Sequence, residues 1–225
     1  MDLELAGKTA VVTGASRGIG LAVARALTNE GVRVVGAART ISPDLDEATV
    51  AAVSADLATQ QGSTTLVDVA LSELGGIDIL INNVGAGDAD QLGLGGFLDV
   101  DDEQWRNLFN LNLFSAVWTT RAALPSLLDR RGAIVNIASI NSHVPAAGPV
   151  GYSEAKAALT AFSKRLSEEF GPSGRRLRTG GAATTSGSAQ SLGQQAAVVA
   201  TTAGGPSDRA TGGVDRDGPR HRPGH

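Results

Sequence analysis

Two hydrophobic periods alternate along the chain. Short, near-continuous apolar runs recur at 8–14 (KTAVVTG), 32–39 (VRVVGAAR), 49–57 (TVAAVSADL), 77–85 (IDILINNVG) and 132–139 (GAIVNIAS). Their β-branched residues and flanking glycine or aspartate predict buried strands. Between them, apolar residues return every three or four positions, the spacing of one helix face. Ile19, Val23, Ala26 and Leu27 mark a helix in 18–31, with Gly31 as its stop, and Leu66, Val67, Ala70, Leu71 and Leu74 mark another in 59–74. A long helix over 101–128 carries an inner stripe of Trp105, Leu108, Leu111, Asn112, Ser115, Ala116 and Thr119. A last helix is predicted at 152–170, rich in good helix formers and preceded by a break at Pro149 and Gly151. Ser42 and Pro43 read as an interruption before the third strand.

Strand and helix alternate throughout, and the strands are apolar on both faces. The sheet is therefore expected to be parallel and covered on both sides. Right-handed crossovers then give an α/β fold with a doubly wound parallel sheet, of Rossmann type.

The pattern stops near Gly171. Residues 1–170 hold 12 Lys and Arg against 20 Asp and Glu, whereas 171–225 hold 7 Arg against 3 Asp. The second stretch has 12 glycines and five large apolar residues, Leu177, Leu192, Val198, Val199 and Val214. Burying so little surface cannot offset the entropy of ordering the segment. The chain thus reads as a domain over 1–170 and a Gly/Arg/Ala-rich tail over 171–225, expected to be disordered.

Composition narrows the classes. Of 225 residues none is cysteine, which excludes disulfides and thiolate metal sites and suits a reducing cytosol. No run of eighteen apolar residues and no leader with a cleavage site is visible. A soluble cytoplasmic protein, without a membrane partner, is the expectation. The net charge of −4 offers nothing to a polyanion, and the tail lacks the aromatic platforms or dense basic run that RNA would need. No nucleic-acid partner is expected. His143 has no second ligand suitably spaced, so no metal site is expected.

Candidate chemistry collects where a doubly wound sheet binds ligands, beyond the carboxyl ends of its strands. After the first strand comes TGASRGIG, 13–20, whose Gly14, Gly18 and Gly20 permit a tight turn, close approach to a pyrophosphate and close helix packing. The only tyrosine of the chain, Tyr152, stands four residues before Lys156, so a helix places both on one face. A cation held beside a phenol favours the phenolate and lowers a pKa that is ordinarily ~10. Ser139 ends the adjacent strand, and Asn112 sits in an apolar stripe where an unpartnered amide is costly.

Taken in order, Thr-Gly-x-x-x-Gly-x-Gly at 13–20, Asn-Asn-x-Gly at 82–85, Asn112, Ser139 and Tyr-x-x-x-Lys at 152–156 resemble the short-chain dehydrogenase/reductase family over residues 5 to about 174. The resemblance implies an oxidoreductase that moves a hydride between a nicotinamide cofactor and a small carbonyl or alcohol. It implies Tyr152 as the acid/base group and Lys156 as its cation. Ser139 would be the donor to the substrate oxygen, and Asn112 the holder of a water joined to the lysine. A structural amide tying helix to sheet remains the alternative for Asn112. For the cofactor it implies Gly14, Ser16, Arg17, Gly18, Ile19 and Gly20, then Arg39, Asp56, Leu57, Asn83 and Gly85, together with Tyr152 and Lys156. Homo-oligomers are implied as well, if the fold is complete.

The second strand ends GAART, with Ala37 and Ala38 where NAD-preferring sites carry a carboxylate, followed by Arg39. With Arg17 this suits a 2′-phosphate, so NADP is expected over NAD. The uncharged segment 138–151 suits a small neutral carbonyl compound. The resemblance fails in the tail, which shows neither the Pro-Gly turn nor the last strands that the family carries. Its use of Arg without Lys, Ile, Asn, Phe or Tyr is how a GC-rich gene reads out of frame. A functional Arg/Gly tail is the rival. Two functions therefore stay open: a working oxidoreductase, or a nucleotide-binding remnant with little or no turnover.

Overall fold

A computed structural model describes residues 3–85 and 96–171, and the backbone of two short segments, 182–184 and 196–201. Strands β1 (Thr9–Thr13), β2 (Arg33–Ala38), β3 (Ala51–Ser54), β4 (Ile79–Asn82) and β5 (Ala133–Ser139) fall inside the five apolar runs. Helices α1 (Gly18–Asn29), α2 (Pro43–Ala48), α3 (Gln60–Leu74), α4 (Asp102–Phe109), α5 (Ser115–Asp129) and α6 (Tyr152–Phe170) lie between and after them. The five strands are parallel in the order β3-β2-β1-β4-β5. The chain winds outward from β1 through β2 to β3, then returns to β4 and β5 on the other side. That reversal between β1 and β4 is the switch point where such sheets bind ligands.

Both faces are covered, as the apolar strands require. Along β1 every residue is buried, with Val11 entering one core and Val12 the other. Leu66, Val67 and Leu74 of α3, Leu127 of α5 and Leu166 of α6 fill the first core with Leu80 and Ile134. Leu21 and Ala24 of α1 and Leu45 of α2 fill the second with Val34, Ile81 and Ile137.

Three differences from the sequence reading have physical causes. Ser42 and Pro43 do not merely interrupt. They start α2, with Ser42 Oγ accepting from the Leu45 N–H and Pro43 in the first turn, where its missing N–H costs nothing. The long helix is not uniform: a π-helical turn, Asn110–Phe114, joins α4 to α5. The extra residue in that turn rotates the buried stripe, so Leu108, Asn112, Ser115, Ala116 and Thr119 are buried while Trp105 and Leu111 are only half-buried. Finally, no strand is legible beyond 171, yet the structure carries β6 (Ala182–Thr184) and β7 (Ala196–Thr201). β7 runs antiparallel to β5 and β6 antiparallel to β7. β6 is only three residues long, and β7 holds just two large apolar residues, Val198 and Val199, set among Ala and Thr, so neither shows a strand period. The remainder of the tail, with Arg175, Arg176 and Arg178, lies outside the described residues, as does most of the loop after Gly85.

Candidate active site

The expected site residues lie at the carboxyl ends of the five parallel strands. Gly14 follows β1 with φ +63°, and Gly18 opens α1 with φ +58°, both in the left-handed region that favours glycine. The three glycines do different work. A Cβ on Gly20 would collide with the Gly14 carbonyl and the Asn83 amide, so this glycine lets helix meet strand. A Cβ on Gly14 would come 3.1 Å from Asn83 Nδ2. Around Gly18 there is open space, nothing lying within 4 Å of where its Cβ would stand. The N-terminus of α1 has no acidic residue in its first turn. An open, glycine-built cradle at a helix N-terminus without a competing carboxylate fits a pyrophosphate.

Two side chains lock this turn in place. Thr13 Oγ1 donates to the Ile81 carbonyl (3.2 Å) and accepts from the N–H of Asn83 (2.9 Å) and of Val84 (3.3 Å). Asn83 Nδ2 returns bonds to the Gly14 (2.9 Å) and Thr13 (3.2 Å) carbonyls. The hub at Thr13 is absent from the sequence reading, although a threonine ending a buried strand before glycine was its signal. Ser16 is half-buried, and its carbonyl accepts from Ser42 Oγ at 2.8 Å. Ile19 is 37% exposed, an apolar side chain left on the surface of the cradle.

Arg17 and Arg39 are both exposed at this end of the sheet. The acidic α2 that follows Arg39 directs Asp44 to Arg25 at 2.6 Å. Asp56 is exposed beyond β3, one carboxylate oxygen accepting from the Ala58 N–H at 3.0 Å. The Leu57 side chain is buried in the core with Leu66 and Ile77, leaving its main chain as the part that can face a ligand.

At the β5 end the character changes from backbone to buried side chains. Ser139 is 1% exposed, and its Oγ accepts from the Asn141 N–H at 3.3 Å and shares a hydrogen bond with the Tyr152 phenol. Tyr152 is the first residue of α6, and Lys156 lies one turn on. The lysine is 3% exposed, with Nζ 5.8 Å from the phenol ring centroid and 3.0 Å from the Ile137 carbonyl, to which it donates. Asn112, in the π-helical turn, donates from Nδ2 to the Leu108 carbonyl at 3.0 Å. A Cβ added to Gly85 would stand 3.1 Å from both Asn112 Oδ1 and Lys156 Nζ. Asparagine and lysine thus converge on a place that only glycine leaves open.

Burial sets the protonation here. It pushes the Tyr152 phenol above its ordinary value, and the Ser139 hydrogen bond pulls the other way more weakly. The same burial lowers the Lys156 ammonium to about 8. The spacing of Tyr152 and Lys156 leads one to expect a lowered phenol. With the protein groups alone the opposite holds, because desolvation penalises both charged forms.

Among the described residues, no three of His, Asp and Glu converge on a common point, and no helix is long and apolar enough to cross a membrane.

Fold and site together define a Rossmann-type α/β protein. The family model for short chain dehydrogenase matches residues 8–197, and this chain belongs to that family. It is 35% identical over 176 residues to an uncharacterized oxidoreductase, YvrD, of Bacillus subtilis, a match covering 75% of this chain and 65% of the relative. An uncharacterized oxidoreductase of Schizosaccharomyces pombe is also 35% identical, over 77% of this chain and 63% of its own. The chain therefore spans a little under two thirds of the length of these two relatives. Human dehydrogenase/reductase SDR family member 11 is 35% identical over 179 residues, 72% of this chain and 66% of that protein. Among solved structures, L-sorbose reductase of Gluconobacter frateurii, complexed with NADPH and L-sorbose, superposes with a TM-score of 0.72 at 35% identity, covering 79% of this chain and 69% of the reductase. Thermoplasma acidophilum aldohexose dehydrogenase follows at TM-score 0.68 and 27% identity, over 75% and 64% of the two chains.

Proposed function

We propose that this protein is an NADP(H)-dependent oxidoreductase acting on a small, neutral carbonyl or alcohol compound. The observation that carries the reading is the meeting of Ser139, Tyr152, Lys156 and Asn112 beside Gly85, at the strand ends that also hold the glycine cradle. Gly14, Ser16, Gly18, Ile19 and Gly20 receive the pyrophosphate side of the cofactor, Asp56 and the Leu57 main chain the adenine, and Asn83 and Gly85 the floor beneath the nicotinamide. Arg17 and Arg39 face the 2′-phosphate, a reading supported by the NADPH in the Gluconobacter reductase and by the absence of a carboxylate at Ala37 and Ala38.

When bound, the cofactor supplies or accepts the hydride. The chain's own part is proton handling and orientation. Ser139 Oγ donates to the substrate oxygen and holds the carbonyl against the phenol. Tyr152 gives its proton to that oxygen as negative charge develops there. Lys156, fixed by the Ile137 carbonyl, stabilises the phenolate left behind. Asn112 holds a water that returns the proton by way of the lysine. The segment after β5 presents exposed His143 and Val144 without a carboxylate, which supports a neutral substrate. The likeness to an L-sorbose reductase and an aldohexose dehydrogenase supports a hydroxylated one.

A second reading, a nucleotide-binding remnant, is favoured by one observation. β7 occupies the β5 edge in the antiparallel sense. Oxidation of NADPH with a panel of ketoses and simple ketones decides between them. Turnover that Tyr152→Phe abolishes while cofactor affinity persists supports the enzyme. Quenching of cofactor fluorescence without turnover supports the remnant, and unimpaired turnover in Tyr152→Phe sinks the assigned chemistry. We also read the protein as cytoplasmic and homo-oligomeric. Phe97 (69% exposed) and Leu98 (93%), in the 3-10 turn before α4, and Phe114 (39%), between α4 and α5, support an interface, Phe97 packing on Trp105 and Phe114 on Trp118. Light scattering that shows a monomer would remove the oligomer.

A further inference from the structure

We propose that Glu154 is a positioning residue for Tyr152, its carboxylate capping the first turn of α6 in place of the side-chain cap that position 151 cannot carry. The inference rests on the reading of Tyr152 as the acid/base group. It explains how a phenol on the first residue of a helix is kept still, since first turns fray and their N–H groups have no helical partners.

The N-cap of α6 is Gly151, with φ +81°. A left-handed residue here favours glycine, and a Cβ would stand 2.7 Å from Leu108 Cδ1 and 3.6 Å from Trp105 Cε3 of α4. An ordinary cap, a Ser, Thr or Asp oxygen reaching the next turn, is thereby excluded. Glu154, at the third helical position, supplies the complementary bond: the Gly151 N–H donates to its Oε2 at 2.6 Å. The acid also lies in the first turn, where the helix dipole favours negative charge. On the neighbouring side Ser153, 1% exposed, donates to the Pro149 (3.1 Å) and Pro145 (3.2 Å) carbonyls. Tyr152 is thus flanked by two clamps, one on the segment that leads in and one on its own turn. Glu154 itself is exposed, so its replacement leaves the core untouched.

Other ionisable groups do not confuse the readout. On α6, Lys156 is the group beside the phenol. From the β5 side Ser139 is neutral and His143 is exposed. On α4, Asp102, Glu103 and Arg106 are exposed, and β7 carries no ionisable residue.

Because Tyr152 is the only tyrosine, the phenolate absorbance of the whole chain reports this one group without cofactor or substrate. In Glu154→Ala the freed turn admits water, and the phenol midpoint falls from its raised position toward the ordinary tyrosine value. Turnover falls roughly tenfold in kcat, with KM changed less than about twofold, because geometry rather than binding is lost. Glu154→Gln keeps an oxygen acceptor for the Gly151 N–H and retains both the parent midpoint and kcat within about threefold, the screened loss of one exposed charge being small. A Gln variant that behaves like Ala would assign the effect to charge and overturn the cap. So would an Ala variant with the parent midpoint. A loss of melting temperature alone in Glu154→Ala, with midpoint and kcat unmoved, would also overturn it. A moved midpoint combined with full activity in Tyr152→Phe would instead leave the cap standing and remove the role given to the tyrosine.

Discussion

The two ends of the ligand-binding edge are made of different materials. From β1 to β3 the edge consists of glycines, main-chain groups and exposed side chains: Gly18 in open space, Arg17, Arg39 and Asp56 on the surface. From β4 to α6 it consists of buried polar side chains, with Asn112 and Ser139 at 1% exposure and Lys156 at 3%. On the proposed reading the first end recognises by shape and by fixed dipoles, which cost the fold little. The second holds groups that would rather be in water. Burial lowers Lys156 to about 8, so at neutral pH the folded state bears a free-energy cost where the chemistry is assigned, while the Tyr152 phenol, pushed up by the same burial, stays neutral.

The sharpest way to break this comparison is to remove that cost. An unfolded lysine keeps its proton to about 10.5, whereas Lys156 in the fold keeps it only to about 8. Below pH 8 the folded state bears the whole penalty, about 3 kcal/mol. Between about 8 and 10.5 the unfolded chain binds the extra proton, so stability rises with pH through that window, and above it the penalty is gone. Lys156→Met fills the same space without charge but removes the hydrogen bond to the Ile137 carbonyl, a loss of about 1–2 kcal/mol. The variant should therefore be more stable than the parent at pH 7, by roughly 1–2 kcal/mol, and less stable at pH 10. Denaturant titrations at the two pH values test it. A variant less stable at both would show that the buried end is not under this strain.

The recognition end should respond differently. Arg39→Asp exchanges a cation for a carboxylate on an exposed surface and should leave stability nearly unchanged. The ratio of NADPH to NADH affinity should drop by roughly tenfold or more, the worth of a charge-assisted bond to phosphate. Titration of cofactor fluorescence reads it. An unaltered ratio would move the 2′-phosphate contact to Arg17 or make the site indifferent to it.

These unlike ends were also unequally legible in the sequence. Glycines at fixed offsets after an apolar strand announce a cradle, and the bounds of α6, 152–170, follow from its helix formers and the glycine before it. Tyr152, Lys156 and Asn112 stand out as polar residues in unexpected places. What sequence spacing does not carry is depth. The shift of the phenol runs against the expected direction because its burial depends on β5 and α4–α5, remote in the chain. The π-helical turn at 110–114 has no compositional mark, since one added residue leaves every amino acid an ordinary helix former. Glu154 reads as one more helix-forming residue until the φ of Gly151 and the closeness of Leu108 are known. α2 was hidden by its length, six residues being too few for a helical period to show.

The smallest expected effect tests whether the recognition end owes its rigidity to main-chain geometry alone. Thr59 caps α3, accepting from the Gly62 N–H at 3.1 Å, and its Oγ1 donates to the Asp56 carbonyl at 2.7 Å. Thr59→Ala removes both bonds. Loss of an N-cap costs about 1 kcal/mol, a fall of roughly 2–4 °C in Tm for a domain of this size. Cofactor affinity has less reason to change. The Asp56 carboxylate is held separately by the Ala58 N–H at 3.0 Å, and the Thr59 N–H still donates to the Asp56 carbonyl at 3.2 Å. Gly62 packs so close to Asp56 that a Cβ there would collide with its carbonyl, which keeps the turn in place from the other side. The variant should melt earlier yet bind NADPH within about threefold of the parent, since the remaining bonds each carry ~1 kcal/mol. A larger loss of affinity at an unchanged melting temperature would reverse the reading. It would mean that one hydroxyl, rather than the geometry of the turn, holds Asp56 to its ligand, and that the recognition end depends on side chains as much as the buried end does.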